Sequence, residues 1–315
     1  MPRVDDRLQS RRDASCAPLY VSAPMVRYSK LPFRLLVREY GVDVTYTPMI
    51  VAHSFNASGR ARDNELTLHP SDRPLVVQFA ARTGEEFATA AELCGDSVDG
   101  IDLNCGCPQS WVMSEGFGAS LLKHPDRVRD MVRAASARVS TPISIKIRIE
   151  DDLRRTVQLA QTAEHAGAAW LTVHGRLPKQ RSSTPPDLDA IRQAVDAVSI
   201  PVVANGDVYS VEEAARIKQA TGACGVMSAR PLLENPALFA GHSVTPAACV
   251  QKFISLAIAY AAPFMNVHYH VGKMTENAWA SQDRRAIHGM TSTAGIVDYV
   301  RERFDGIEGT DSSLL

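Results

Sequence analysis

Val98-Asp99-Gly100-Ile101-Asp102-Leu103-Asn104-Cys105-Gly106-Cys107-Pro108 reads as a short buried strand that runs straight into a chemically loaded loop. An acid and an amide, Asp102 and Asn104, sit where the apolar run ends, and two thiols, a glycine and a proline follow at once. Glycine lets the backbone come close to a ligand, and proline stiffens the exit. A thiol held at such a point can give or take a proton at a fixed place. With an ordinary pKa of roughly 8.5 it is mostly protonated at neutral pH and can serve as an acid. The competing reading is a zinc half-site or two buried core cysteines. Cys-x-Cys is not the usual zinc spacing, and the six cysteines contain no second close pair.

Seven similar runs surround this one: Val21–Met25, Val42–Pro48, Pro74–Phe79, Ile143–Arg148, Trp170–His174, Pro201–Asp207 and Cys224–Met227. Helical patterns separate most of them, at Phe33–Tyr40, Glu85–Leu93, Pro125–Val139, Leu153–Ala166, Leu188–Val198 and Val211–Thr221. Only the second gap lacks an obvious long helix. Eight β-runs alternating with helices predict an α/β fold, a closed (β/α)8 TIM barrel. Its active site belongs at the C-terminal strand ends. Met25, Gln78, Asn104, Lys146, His174, Asn205 and Arg230 stand at those ends and are expected to converge on one mouth.

The expected organisation is a disordered leader over 1–17, the barrel over 18–242, a small all-helical C-terminal domain over 243–305 and a disordered tail over 306–315. Within the third segment, helices are expected at Val250–Tyr260, Val267–Trp279 and Asp283–Phe304. The 315 residues are 45% hydrophobic and 22% charged, as in a globular protein. No apolar run reaches the roughly 18 residues that span a bilayer, and scattered cysteines suit a reducing compartment. The arginine-rich start also carries Asp5, Asp6 and Asp13, unlike a transit peptide. A cytoplasmic protein is expected, with a nuclear or organellar pool left open. The formal net charge of −1 sits awkwardly with a nucleic-acid binder, although net charge does not report distribution.

At the mouth, Lys146 can stabilise an electron-rich ring, and Arg230 with the backbone after Gly225 can hold a phosphate, as is common after strands seven and eight. Asn205-Gly206-Asp207 adds contacts, and Met25 and Gln78 meet a ring's face and edge. This set suits a flat phosphorylated heterocycle such as FMN. A phosphosugar isomerase or aldolase with Lys146 as Schiff base is the bland alternative, and it leaves Asn104 and Cys107 without a purpose. Trp111 either stacks on a base or anchors its loop, and Glu115-Gly116-Phe117-Gly118 reads as a flexible lid.

The ordered set of motifs resembles the tRNA-dihydrouridine synthases. It comprises Ala23-Pro24-Met25 with Leu31-Pro32-Phe33-Arg34, Asp102-Leu103-Asn104-x-Gly106-Cys107-Pro108-Gln109, and Gly116 to Leu122. Lys146-Ile147-Arg148, His174-Gly175-Arg176, Asn205-Gly206-Asp207 and Gly225 to Arg230 complete it. The wording of Ala23 to Leu31 and of Pro108-Gln109-x-Trp111 is most similar to the eukaryotic branch acting on uridines 20a and 20b. The resemblance implies FMN as cofactor, NADPH as reductant and a D-loop uridine of tRNA as substrate, with Cys107 as the general acid. It implies FMN contacts from Pro24, Met25, Val26, Gln78, Lys146, His174, Asn205, Gly206, Asp207, Ala229 and Arg230. Asn104, Arg176 and Arg181 are expected on the RNA, with no metal, no membrane and a monomeric protein. A flavin-dependent reductase of a free pyrimidine and a non-catalytic tRNA-binding protein are the alternatives.

Overall fold

The computed structural model describes residues 3–13 and 15–304. Among these, nine strands form one parallel sheet. They are β1 (Leu19–Ser22), β2 (Val44–Tyr46), β3 (Ile50–Val51), β4 (Leu75–Ala80), β5 (Gly100–Cys105), β6 (Ile143–Arg148), β7 (Trp170–His174), β8 (Val202–Asn205) and β9 (Gly225–Ser228). Eight of them close into the expected barrel, with β1 pairing both β2 and β9, and β2 pairing β4. The two-residue β3 only extends the upper end of β4, with Ile50 opposite Phe79. The second gap, where no long helix was expected, holds two short ones at Ala52–Ala57 and Gly59–Glu65.

Strand alternation divides the core in two. Leu171 and Val173 of β7 belong to the large apolar layer shared with the helices, whereas Trp170 packs with Val21, Tyr46, Val76, Val203 and Met227 inside the barrel. Trp170 donates its indole N–H to the Tyr46 hydroxyl at 3.0 Å, which satisfies both buried polar atoms. The indole also explains Gly100, where a Cβ would lie 2.5 Å from Trp170 Cη2.

The leader does not match the disorder expected of it. Val4–Gln9 is a helix, and Val4 and Leu8 are each 1% exposed. Four residues apart, they share one helix face and pack against Leu19, Val21 and Trp170 on the barrel floor. Lys218 and Arg12 fasten the segment through the carbonyls of Arg11 and Ser199. The expected tail over 306–315 lies outside the described residues.

Beyond the barrel the chain is helical, at Ala247–Ala259, Phe264–Thr275, Ser281–Gly289 and Thr293–Phe304. The single helix expected over Asp283–Phe304 is broken near Ser292, whose hydroxyl accepts the Gly295 N–H at 3.1 Å and starts a new helix. These helices dock on the loop after β1. His270 lies between Phe33 and Phe253, each ring 4.9 Å away. Its Nε2 bonds the Tyr28 carbonyl at 3.0 Å, and Tyr269 stacks on Tyr28 at 3.8 Å. Among the described residues no helix is long and apolar enough to cross a membrane.

Candidate active site

Parallel register brings the polar strand ends to one level. Gln78 stands opposite Asp102, Asn104 opposite Lys146, and His174 opposite Asn205. A directed chain of hydrogen bonds links them. Ser144 Oγ and Gln78 Nε2 donate to the Asp102 carboxylate at 2.6 and 2.8 Å. Gln78 Oε1 accepts from Asn104 Nδ2 at 2.8 Å, and Asn104 Oδ1 accepts the N–H groups of Gly106 and Cys107 at 3.2 and 2.9 Å. An ionised carboxylate only accepts, so Asp102 orients both amides and, through them, the thiol loop.

The Cys107 loop is fixed from its other side as well. Ala119 N–H donates to the Cys107 carbonyl at 2.9 Å, and Arg148 Nε donates to the Gly106 carbonyl at 2.9 Å. Gly118, with φ of 57°, packs where any Cβ would stand 2.5 Å from the Cys107 carbonyl oxygen. Of the segment expected as a flexible lid, Glu115 is exposed, but Phe117 and Gly118 are packed down. The two thiols differ sharply. Cys105 points outward into the apolar layer and is 0% exposed; burial lifts its pKa well above the ordinary range. Cys107 is half-buried. Burial raises its pKa too, opposed by the Gln109 N–H and by the charges of Arg148 and Lys146. Cys107 is therefore a protonated thiol at neutral pH, suited to giving a proton away.

Lys146 donates to Asn205 Oδ1 at 2.7 Å, and Asn205 Nδ2 donates to the Met227 carbonyl at 2.9 Å. Lys146 is half-buried. Burial, helped by Arg148, brings its pKa down to about 8. Burial likewise lifts the Asp102 carboxyl to about 6, against the hydrogen bonds from Ser144 and Gln78. His174 is pushed far below its ordinary value, first by burial and then by the cations Lys146, Arg148, Arg176 and Arg230. It is a neutral imidazole. Four cations thus face two carboxylates, Asp102 and Asp207, and the mouth favours an anionic guest.

The remaining expected residues are placed as follows. Met25 is buried, Pro24 and Val26 are half-buried, and Ser29 Oγ accepts the Met25 N–H at 3.0 Å. Gly206 has φ of 141°, and a Cβ there would meet Pro186 at 2.9 Å, so only glycine fits. Asp207 joins Arg230 at 3.5 Å, and Ala229 is half-buried. Arg181 is exposed on the loop after β7.

Arg176 differs from expectation. It is 3% exposed, with donors held by the Thr184 and Ser182 carbonyls, at 2.5 and 3.0 Å, and by Asp207. It clamps its own loop and does not reach toward RNA. Asn104, 7% exposed, has its carbonyl occupied by the thiol loop and one Nδ2 hydrogen without a partner among the described residues. Arg148 was missed as a site residue, although it shares the inward face of β6 with Lys146 two positions earlier. Among the described residues, no group of three or more histidines, cysteines and acids is arranged to hold a metal ion.

Comparison with known proteins follows the same line. The model of the dihydrouridine synthase family matches residues 21–300. The chain is 47% identical over 297 residues to a mouse protein described as tRNA-dihydrouridine(20a/20b) synthase [NAD(P)+]-like, covering 93% of this chain and 91% of that one. It is 44% identical over 290 residues to the Schizosaccharomyces pombe tRNA-dihydrouridine(20a/20b) synthase [NAD(P)+], covering 91% and 88%. Among solved structures, histamine dehydrogenase from Rhizobium sp. 4-9 aligns with a TM-score of 0.55 at 12% identity, over 78% of this chain and 51% of that one. A morphinone reductase in complex with tetrahydroNAD aligns at 0.51 and 11%, over 76% and 89%. At such identities these two speak for the barrel alone.

Proposed function

This chain belongs to the dihydrouridine synthase family, and from that premise we propose that it reduces the C5–C6 double bond of uridine 20a or 20b in tRNA. NADPH is the proposed reductant and FMN the proposed bound cofactor. The observation that carries the reading is the Cys107 thiol, protonated and pinned at the barrel mouth through Asn104, Ala119 and, by way of Gly106, Arg148.

The residues at the mouth fit FMN chemically. Four cations surround a neutral His174, as suits a phosphate and a reduced anionic ring. Buried Met25 offers an apolar surface to a ring face. Gln78, Lys146, Asn205 and Arg230 would hold the group. When bound, the flavin supplies hydride to C6 of the uracil. Charge then builds at C5 and O4, and Cys107 Sγ–H gives its proton to C5; general-acid help of this kind is worth about 10²–10⁴-fold. The remaining Nδ2 hydrogen of Asn104 holds the base edge. Lys146 would offset the negative charge of a reduced ring.

Two measurements test this. Dihydrouridine mapped in tRNA from cells lacking the protein should be missing at 20a and 20b, and should return with the wild-type gene but not with Cys107→Ala. The purified protein should be yellow, and Arg230→Ala should lower its flavin content. Unchanged modification at both positions in the deletion overturns the substrate assignment. A folded, colourless protein that takes up no FMN overturns the cofactor.

A further inference from the structure

Arg27 and Trp111 stand exposed on the mouth's rim, and the function proposed above uses neither; for Trp111 the sequence left base stacking and loop anchoring open. The Arg27 guanidinium has no hydrogen-bond or ion-pair partner among the described residues. Its backbone is unusual, with φ of 71°, a region that disfavours any side chain with a Cβ. The C-terminal helices hold it there. Asn266 Nδ2 donates to the Arg27 carbonyl at 3.2 Å, His270 Nε2 bonds the Tyr28 carbonyl at 3.0 Å, and Tyr269 stacks on Tyr28. Glycine would be relaxed at this turn, yet an arginine occupies it. Strain maintained by several outside contacts is typical of ligand clamps.

Trp111 is 47% exposed, its indole N–H turned to Gln109 Oε1 at 3.0 Å. Its neighbour Val112, 0% exposed, anchors the loop with Met49, Ala80 and Phe117. The anchor is therefore Val112, and the indole face is left to solvent. Val26 and Cys107 pack against that same apolar cluster. The residues adjoining Arg27 and Trp111 in sequence thus share one patch beside the thiol, with a cation on one side and an aromatic face on the other. That pairing fits single-stranded nucleic acid, which offers a phosphate and a base to stack.

We propose that Arg27 and Trp111 form the platform on which the tRNA strand flanking the target uridine docks, Arg27 on a phosphodiester and Trp111 against a base. The proposal rests on the function proposed above and names contacts for it. A phosphate on the nicotinamide reductant is the other source of the chemistry Arg27 would recognise, and the two sources separate experimentally.

The test uses full-length, flavin-loaded protein. Arg27→Gly relieves the backbone strain, and Trp111→Ala is paired with Trp111→Phe. Affinity for a tRNA transcript is measured by fluorescence anisotropy over a range of salt, and flavin reduction by NADPH is followed by its absorbance. Each removal should weaken tRNA binding roughly tenfold. Arg27→Gly should also lower the salt slope by about one, and Trp111→Phe should restore most of the affinity. NADPH-driven reduction should keep its wild-type rate. Unchanged tRNA affinity in both removals overturns the proposal. Slowed flavin reduction with intact tRNA binding in Arg27→Gly also overturns it, and assigns that arginine to the reductant. A wild-type protein with no tRNA affinity instead sinks the earlier functional reading.

Discussion

Replacing Gly118 with alanine perturbs the thiol without touching any titrating group. At φ of 57° a Cβ is disfavoured by itself, by roughly 1–2 kcal/mol. The added atom would also lie 2.5 Å from the Cys107 carbonyl oxygen and 2.7 Å from Val112 Cγ1. The first neighbour is backbone, so relief requires the Cys107 peptide to retreat by about 0.5 Å merely to reach a 3.0 Å contact. Overpacking of this kind costs about 1–3 kcal/mol, which puts the total near 2–5 kcal/mol and leaves a folded but weakened protein. Misplacing a reacting group by an ångström can cost about a hundredfold in rate, so tRNA reduction should fall roughly ten- to a hundredfold. NADPH-driven flavin reduction, which does not use the thiol, should persist. Gly116→Ala is the control. Its φ is also positive, at 81°, but a Cβ there meets only the flexible end of Arg127 at 3.8 Å. The assays are single-turnover dihydrouridine formation, flavin absorbance and thermal unfolding. If Gly118→Ala keeps full turnover, or Gly116→Ala is equally impaired, contact with Cys107 is not what Gly118 protects.

Cys107→Ala should abolish most tRNA reduction while NADPH still reduces the flavin. Cys105→Ala, changed in the apolar layer, should cost only a little stability; equal loss of turnover in both would point to a paired-thiol mechanism. His270 is held near pKa 4 by burial, below its ordinary 6.5 or so. Its stabilising contribution is therefore complete above pH 6.5 and is lost as pH falls toward 4, by about 3 kcal/mol. Asp102, lifted to about 6, works in the opposite sense, because its burial penalty fades over the same acid range. His270→Phe should accordingly gain stability relative to wild type between pH 6.5 and 4.5 in urea titrations, and parallel curves would count against this account. In the C-terminal helices, Arg285→Glu should weaken tRNA binding with flavin content intact. Arg284→Ala should chiefly lower the unfolding temperature, since its guanidinium holds the Glu276 carbonyl and Ser281 Oγ, both at 3.0 Å. The reverse pattern would exchange their roles.

The barrel was legible because its strands are short, apolar and evenly spaced, and its site because the amides, the lysine and the histidine of those runs fall toward their C-terminal ends. Asn104, Lys146, His174 and Asn205 all obey that rule. What escaped were features that need a partner from far along the chain. Val4 and Leu8 are two apolar residues in a charged segment, and only the barrel floor makes a helix of them. Arg176 follows the β7 end by two positions and reads as a mouth residue. The direction of its side chain depends on where the loop to Asp187 folds back, and no local pattern reports that. His270 looks like one of a polar pair on a helix until Phe33 and Phe253 enclose it.

The distribution of charge reconciles a near-neutral chain with an RNA substrate. Lys146, Arg148, Arg176 and Arg230 crowd the mouth, with only Asp102 and Asp207 against them. A total of −1 then requires the rest of the molecule to carry a negative excess. A polyanion approaching such a protein is attracted at one end and repelled elsewhere, so the field selects orientation more than it adds affinity. Other basic side chains are neutralised in place: Lys252 pairs with Glu39 at 3.1 Å and Lys273 with Glu276 at 2.7 Å. An exposed, unpaired cation such as Arg27 on the rim therefore carries more weight than the overall composition suggests. With few phosphates engaged, salt should weaken binding only gently, and selection of one uridine must come from how the strand is seated beside Cys107.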